Sequence, residues 1–240
     1  LCGTFGKFAF MSGQWNKPFS TGLGGMLLVN DMKLADKVER LLEEKAVTSG
    51  SLHNLLLHCQ ILLFEALVSP RTAGKITTLY RFLNKVGLVI GSSSEAELLG
   101  EMPDNYLRTM AFCQARKGLR ELARIEKNIE HRRKLTEFYH QRLPDVGFAR
   151  LAEELVVDQP LLRYPVRVAN KHEVVETASK RGFEIGTWFE SPLHPGGTRL
   201  ERFGYKPGMC PEAEKACREV INLPTHLKVD EKTAERTLVF

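Results

Sequence analysis

Ser12-Gly13-Gln14-Trp15-Asn16-Lys17-Pro18-Phe19-Ser20-Thr21-Gly22-Leu23-Gly24-Gly25 is the densest chemical signal in the chain. A serine stands five residues before Lys17, and a Gly-x-Gly-Gly begins five residues after it. Residues 5–12 on one side and 24–30 on the other are short apolar runs bounded by glycine and polar residues, the pattern of buried strands. A hydroxyl, an amine and a flexible turn are thereby predicted in one tight loop between two strands. A lysine in such a loop can lose solvation and act as a nucleophilic amine. The small residues around it let a planar ligand approach the backbone.

Outward from this loop the pattern is α/β. Asp31 is a candidate N-cap for a helix over 31–45, where Leu34, Val38, Leu41 and Leu42 recur at helical spacing. Residues 55–68 are almost continuously apolar, broken by His58, Gln60 and Glu65; the run is short of the ~20 residues of a membrane span and reads as a buried helix. From Arg71 to Lys85 the pattern turns amphipathic, with Ile76, Leu79, Tyr80 and Leu83 on one face and Arg71, Lys75, Arg81 and Lys85 as the only charges. That segment fits either packing with its cations in water or a helix lying in a lipid headgroup layer. Gly91-Ser92-Ser93-Ser94 marks a loop, and residues 104–142 read as one long charged helix between Pro103-Asp104 and Pro144. Leu161–Val168 is strand-like, and Asn170 with Glu173 opens a helix to about Arg181. Glu184–Phe189 reads as another strand, residues 211–219 as a helix behind Pro211, and Asp230 as the cap of the last helix.

Composition narrows the class. Hydrophobic content of 43%, charged content of 26% and a net charge of +5 without a dense basic stripe fit a globular protein and argue against a nucleic-acid binder. Cys2, Cys59, Cys113, Cys210 and Cys217 form no C-x-x-C pair, which disfavours a disulfide framework or a metal site and suits a reducing cytoplasm. The first residue is Leu and a strand is soon under way, so the chain is expected to be cut from something longer.

The run around Lys17 resembles the DegT-type nucleotide-sugar aminotransferases, which have the type I fold of pyridoxal-phosphate enzymes. The resemblance extends through Met110-Ala111-Phe112-Cys113-Gln114-Ala115, through Trp188-Phe189-Glu190-Ser191-Pro192-Leu193-His194-Pro195 and through Asn222-Leu223-Pro224. Residues 51–100 have no counterpart in the common family pattern. The resemblance implies that Lys17 bonds the cofactor and that Ser12 binds its phosphate. Asn105 is the nearest candidate for an asparagine that reaches the neighbouring subunit's phosphate. His194 reads either as a substrate contact or as a loop histidine held by Pro192 and Pro195, and Trp188 as a substrate wall or as packing. Leu23 stands where the family has an acid, and residues 1–30 contain no Asp or Glu, so the carboxylate expected on the pyridine nitrogen is missing from this stretch. A lysine at position 17 favours amino transfer, because the family's sugar dehydratase branch has histidine there.

The expectation is therefore an α/β chain: the end of a large cofactor-binding domain at 1–50, an atypical helical insertion at 51–103, a linking helix at 104–143 and a small C-terminal domain at 144–240. The implied protein is a cytoplasmic homodimer of polysaccharide biosynthesis that takes a nucleotide-sugar and an amino-acid donor, with peripheral membrane contact through 55–86 as an option. A non-catalytic homologue that binds partners is the alternative.

Overall fold

The computed structural model describes the chain except residues 1, 92–94, 104–105, 195 and 240, and the side chains of Lys85 and Glu95. Asn105 therefore lies outside the described residues. Strands β1 (Phe8–Ser12) and β2 (Gly25–Val29) form an antiparallel hairpin in register from Phe8↔Val29 to Ser12↔Gly25. Their continuous apolar character leads one to expect burial on both faces. Instead both are largely exposed, Phe10 at 83%, because among the described residues each pairs only with the other.

Helix α1 (Met32–Lys45) starts as expected, the Asp31 carboxylate accepting from the Lys33 amide at 3.0 Å. Helices α2 (Ser51–Leu67), α3 (Ala73–Lys85) and the single turn α4 (Glu95–Leu98) follow. α2 is apolar all round but buries one side only: Leu57 and Ile61 join Ala111, Trp15, Leu23, Ile90 and Cys113 in a small core. Its other side, from Leu52 (70% exposed) through Leu55 and Leu62 to Leu63 (58%), faces outward. On α3, Ile76, Tyr80 and Leu83 are half-buried while Leu79 and Phe82 are exposed.

The single charged helix expected over 104–142 is two, α5 (Phe112–Leu122) and α6 (Ile125–Arg142). The charge periodicity runs through the break without marking it; Arg124 spans it by bonding back to Glu121. α6 then supplies Leu135 and Tyr139 to the main core, with Leu143 at its C-cap, and Tyr164, Val166, Ile221, Leu223 and Val229 meet them there. Strand β3 (Arg163–Arg167) pairs antiparallel with β4 (Val220–Pro224). Helices α7 (Lys171–Arg181), α8 (Pro211–Glu219) and α9 (Glu231–Leu238) surround the pair. Asn170 and Asp230 cap α7 and α9 through the Glu173 and Thr233 amides, and Gly182, at φ +73°, ends α7 in the left-handed conformation that glycine adopts without penalty. The strand expected over Glu184–Phe189 reduces to one bridge, Gly186↔Asn222, after which the backbone turns away toward the lysine loop. Among the described residues no helix is long and apolar enough to cross a membrane.

Candidate active site

The loop between β1 and β2 is closed by its own backbone: Gly13 N donates to Gly24 O and Thr21 N to Gly13 O, both at 2.9 Å. Ser20 and Thr21, buried within it, bond Gly22 N and Leu23 O. Gly22 stands at φ +92°, and a Cβ there would meet the Trp15 ring at 3.1 Å, so the turn requires glycine on both counts. Two buried amides hold the loop from outside. Gln114 of α5 donates to Leu23 O at 2.9 Å, and Asn128 of α6 donates to Pro18 O, next to Lys17, at 2.8 Å. Gly118 lets α5 approach, since a Cβ there would lie 3.2 Å from Thr21 Cγ2. Trp15 packs on Phe64 of α2, ring centres 4.6 Å apart.

Lys17 is thus fixed at its backbone and half-buried at its side chain. Its Nζ faces the Trp188 ring, 5.4 Å from the centre, and among the described residues it makes no ion pair or side-chain hydrogen bond. Trp188 stacks on Phe189 at 5.6 Å and 16°, and His194 tilts against both rings at 5.7 and 5.5 Å. The sequence candidates Lys17, Trp188 and His194 are therefore brought together across most of the chain. Ser12 ends β1 on the same hairpin as Lys17, its hydroxyl accepting only a long 3.5 Å bond from Gln14 N.

Three residues escaped the sequence reading. Lys171, the first residue of α7, donates to Thr187 O at 2.8 Å, Phe189 O at 3.1 Å and Cys217 O at 2.8 Å, clamping the backbone on both sides of Trp188. Burial holds its pKa below the ordinary lysine value, against the opposing pull of Cys217 and Glu190. Arg163, at the start of β3, lies 4.8 Å from the centre of the Trp188 ring. Arg132 of α6 is buried, bonding Asn128 Oδ1 at 2.9 Å, Leu162 O at 2.8 Å and Thr225 Oγ1 at 2.9 Å; burial, then the charge of Arg163, pushes its pKa down to about 10. Arg163 opens β3, and nothing in the local sequence sets it apart from Arg167 at the other end. Lys171 and Arg132 sit in charged helical patterns that read as solvated faces.

Residues 73–238 match the profile of the DegT/DnrJ/EryC1/StrS aminotransferase family. Part of the 51–100 stretch, read from sequence as having no family counterpart, thus falls inside the match. No curated protein matches the chain. Among solved structures, it is similar to a DegT DnrJ EryC1 StrS aminotransferase from Brucella abortus (18% identity, TM-score 0.60, 99% of this chain and 51% of that one). DesI crystallised with its TDP-sugar product is also similar (17%, 0.62, 98% and 49%). So is the E. coli GDP-4-keto-6-deoxy-D-mannose-3-dehydratase with bound hydrated PLP (16%, 0.54, 98% and 54%). The fold is that of these pyridoxal-phosphate enzymes, and the chain spans about half of their length.

Proposed function

The chain belongs to the DegT/DnrJ/EryC1/StrS aminotransferase family, and on that premise we propose that it serves a pyridoxal-phosphate-dependent transfer of an amino group, with glutamate as donor, to a keto-sugar carried on a nucleotide. The observation that carries the reading is Lys17: an amine without an ion-pair partner among the described residues, on a loop pinned at Pro18 and Leu23, facing the aromatic group of Trp188. The donor set suits the cofactor, offering an amine for its aldehyde, the Ser12 hydroxyl for its phosphate and a hairpin end kept free of side chains at Gly25, where a Cβ would strike Met11 O. Bound there, the cofactor supplies an electron sink for the carbon that loses its amine. Lys17 Nζ would take the proton from the donor's Cα and return it during transfer, as general base and acid. Trp188 and His194 form the wall on which the sugar rests.

The fold alone does not separate amino transfer from dehydration, since the E. coli neighbour is a dehydratase; the lysine at position 17 favours transfer. The reading assigns to this chain the lysine loop and the small domain, with 1–50, 51–103, 104–143 and 144–240 as its units. It leaves the carboxylate for the pyridine nitrogen to residues outside 1–30. Borohydride reduction in the presence of pyridoxal phosphate, followed by peptide mapping, is the test. The label must fall on Lys17, and a label elsewhere overturns the assignment.

A cytoplasmic homodimer is part of the same proposal, consistent with five free thiols and with the exposed apolar faces of β1 and β2. Peripheral docking on an anionic membrane is a second reading of the surface. Residues 66–94 hold four Lys or Arg and no Asp or Glu, and the outward leucines of α2 precede them in the chain. Acid-free cations beside exposed apolar side chains complement a negatively charged lipid surface.

A further inference from the structure

Arg163 lies over the same indole as the candidate lysine, its donors unused among the described residues. The space it occupies exists because residue 186 is glycine: a Cβ there would stand 2.5 Å from Arg163 Nη1. Among the described residues its guanidinium forms no hydrogen bond and no ion pair, and it lies over the Trp188 ring. The acid in electrostatic reach is Glu184, whose carboxylate is taken by His226 Nε2 at 2.9 Å. Arg132, near enough to feel its charge, adds a second cation already committed to Asn128, Leu162 and Thr225. A half-buried guanidinium has lost water, and its planar fork of N–H donors matches a carboxylate in shape and charge. Such a group is complementary to an anion held against the indole.

The anion's chemistry follows from the ring that the guanidinium shares with the reacting amine. Arg163 and Lys17 address the same ring, at 4.8 and 5.4 Å from its centre. An amino-acid donor carries its α-carboxylate on the carbon that surrenders the amine. A nucleotide-sugar's diphosphate is held away from the keto carbon by the sugar ring. We propose that Arg163 binds the α-carboxylate of the amino-acid donor against the face of Trp188, and so selects amino acids over uncharged amines. This rests on Lys17 being the reacting amine.

The test reads binding apart from turnover. In a Trp15→Phe background Trp188 is the one remaining indole, so its emission can be titrated with glutamate and, separately, with TDP, in protein that also carries Lys17→Ala. Glutamate is expected to give a saturable change, weakened about ten-fold or more by Arg163→Gln and less by Arg163→Lys, which keeps the charge but not the fork. TDP is expected to give no Arg163-dependent change. In the Lys17 enzyme, Arg163→Gln should raise KM for glutamate and leave KM for the nucleotide-sugar in place. Equal glutamate affinity in all three proteins overturns the proposal, as does an Arg163-dependent response to TDP alone. If Arg163→Gln lowers the melting midpoint sharply, the Arg163→Lys comparison decides. Borohydride labelling of Lys17 is scored separately, so failure of the lysine assignment and failure of the carboxylate site give different results.

Discussion

Lys17 Nζ and the indole of Trp188 meet at 5.4 Å although most of the chain lies between them. One comes from a hairpin loop near the start, the other from the stretch between Gly186 and the last strand. Neither position is adjustable at its backbone, since Asn128 holds Pro18 O and Lys171 holds the carbonyls on either side of Trp188.

Lys17→Ala removes a side chain that makes no ion pair among the described residues, so the fold should survive with a melting midpoint near that of the parent. The release of 2-oxoglutarate from glutamate should vanish, followed in the enzyme with added pyridoxal phosphate. Residual turnover above background would remove Lys17 from the chemistry.

Lys171→Met deletes three hydrogen bonds to carbonyls at once while keeping the aliphatic stem. The loss should be about 0.5–1.5 kcal/mol per bond at most in urea unfolding, the net worth of an ordinary hydrogen bond, since the Phe189 carbonyl is exposed and those of Thr187 and Cys217 are half-buried. Trp188 emission should shift red as the 187–189 backbone loosens, which a stability loss elsewhere would not cause.

Gly186→Ala places a methyl against Arg163 Nη1 and within 3.0 Å of Asn222 Cβ, and should destabilise by about 1–3 kcal/mol through overpacking. Combining it with Arg163→Ala should recover part of that loss, a coupling of about 0.5–3 kcal/mol in a double-mutant cycle. Strict additivity would show that the two residues do not compete for the space.

Acid lability should centre on Glu121. Burial raises its pKa, but hydrogen bonds from Arg124 and the buried Lys117 outweigh that and leave it below the ordinary glutamate value. A depressed folded-state pKa contributes stability that is complete above the unfolded value near 4.5 and is lost as pH falls through the lower folded value. Glu121→Gln should flatten that limb of the stability curve. At pH 7 it should cost about 1–3 kcal/mol, because Glu65 still pairs with Lys117.

Binding to vesicles should distinguish docking from packing at α2 and α3. Co-sedimentation is expected with anionic but not neutral vesicles, weakened by salt and by changing Arg71, Lys75, Arg81 and Lys85 to Gln, at about 1 kcal/mol per charge. Equal recovery in the supernatant with both vesicle types would leave the outward leucines of α2 to a protein partner.

Where a side chain acts on its own backbone neighbours, the sequence was legible. Asp31, Asn170 and Asp230 cap the helices they precede, and the Ser-Lys-Gly spacing marked the hairpin loop and its lysine. Contacts between distant residues were not. Gln114 and Asn128 look like two more polar positions in a charged run, yet they are buried and reach backwards to Leu23 and Pro18. Arg163 and Lys171 carry no local pattern, because their surroundings are assembled from the 184–190 stretch and β4. The strands near Lys17 read as buried from their apolar runs, but whether anything covers them depends on partners that no local pattern names.

One turn of α6 carries a mechanical consequence. Asn128 grips the lysine loop at Pro18, Arg132 grips Leu162 and Thr225 beside β3 and β4, and the two side chains grip each other. Both halves of the chain are thus mounted on a single pivot with little backlash. A tilt of the β3–β4 half, as when something is drawn against Trp188 and Arg163, is transmitted to the lysine through two side chains four residues apart. The amine and the surface it faces then move as one lever, and any hinge between them has to lie away from that turn.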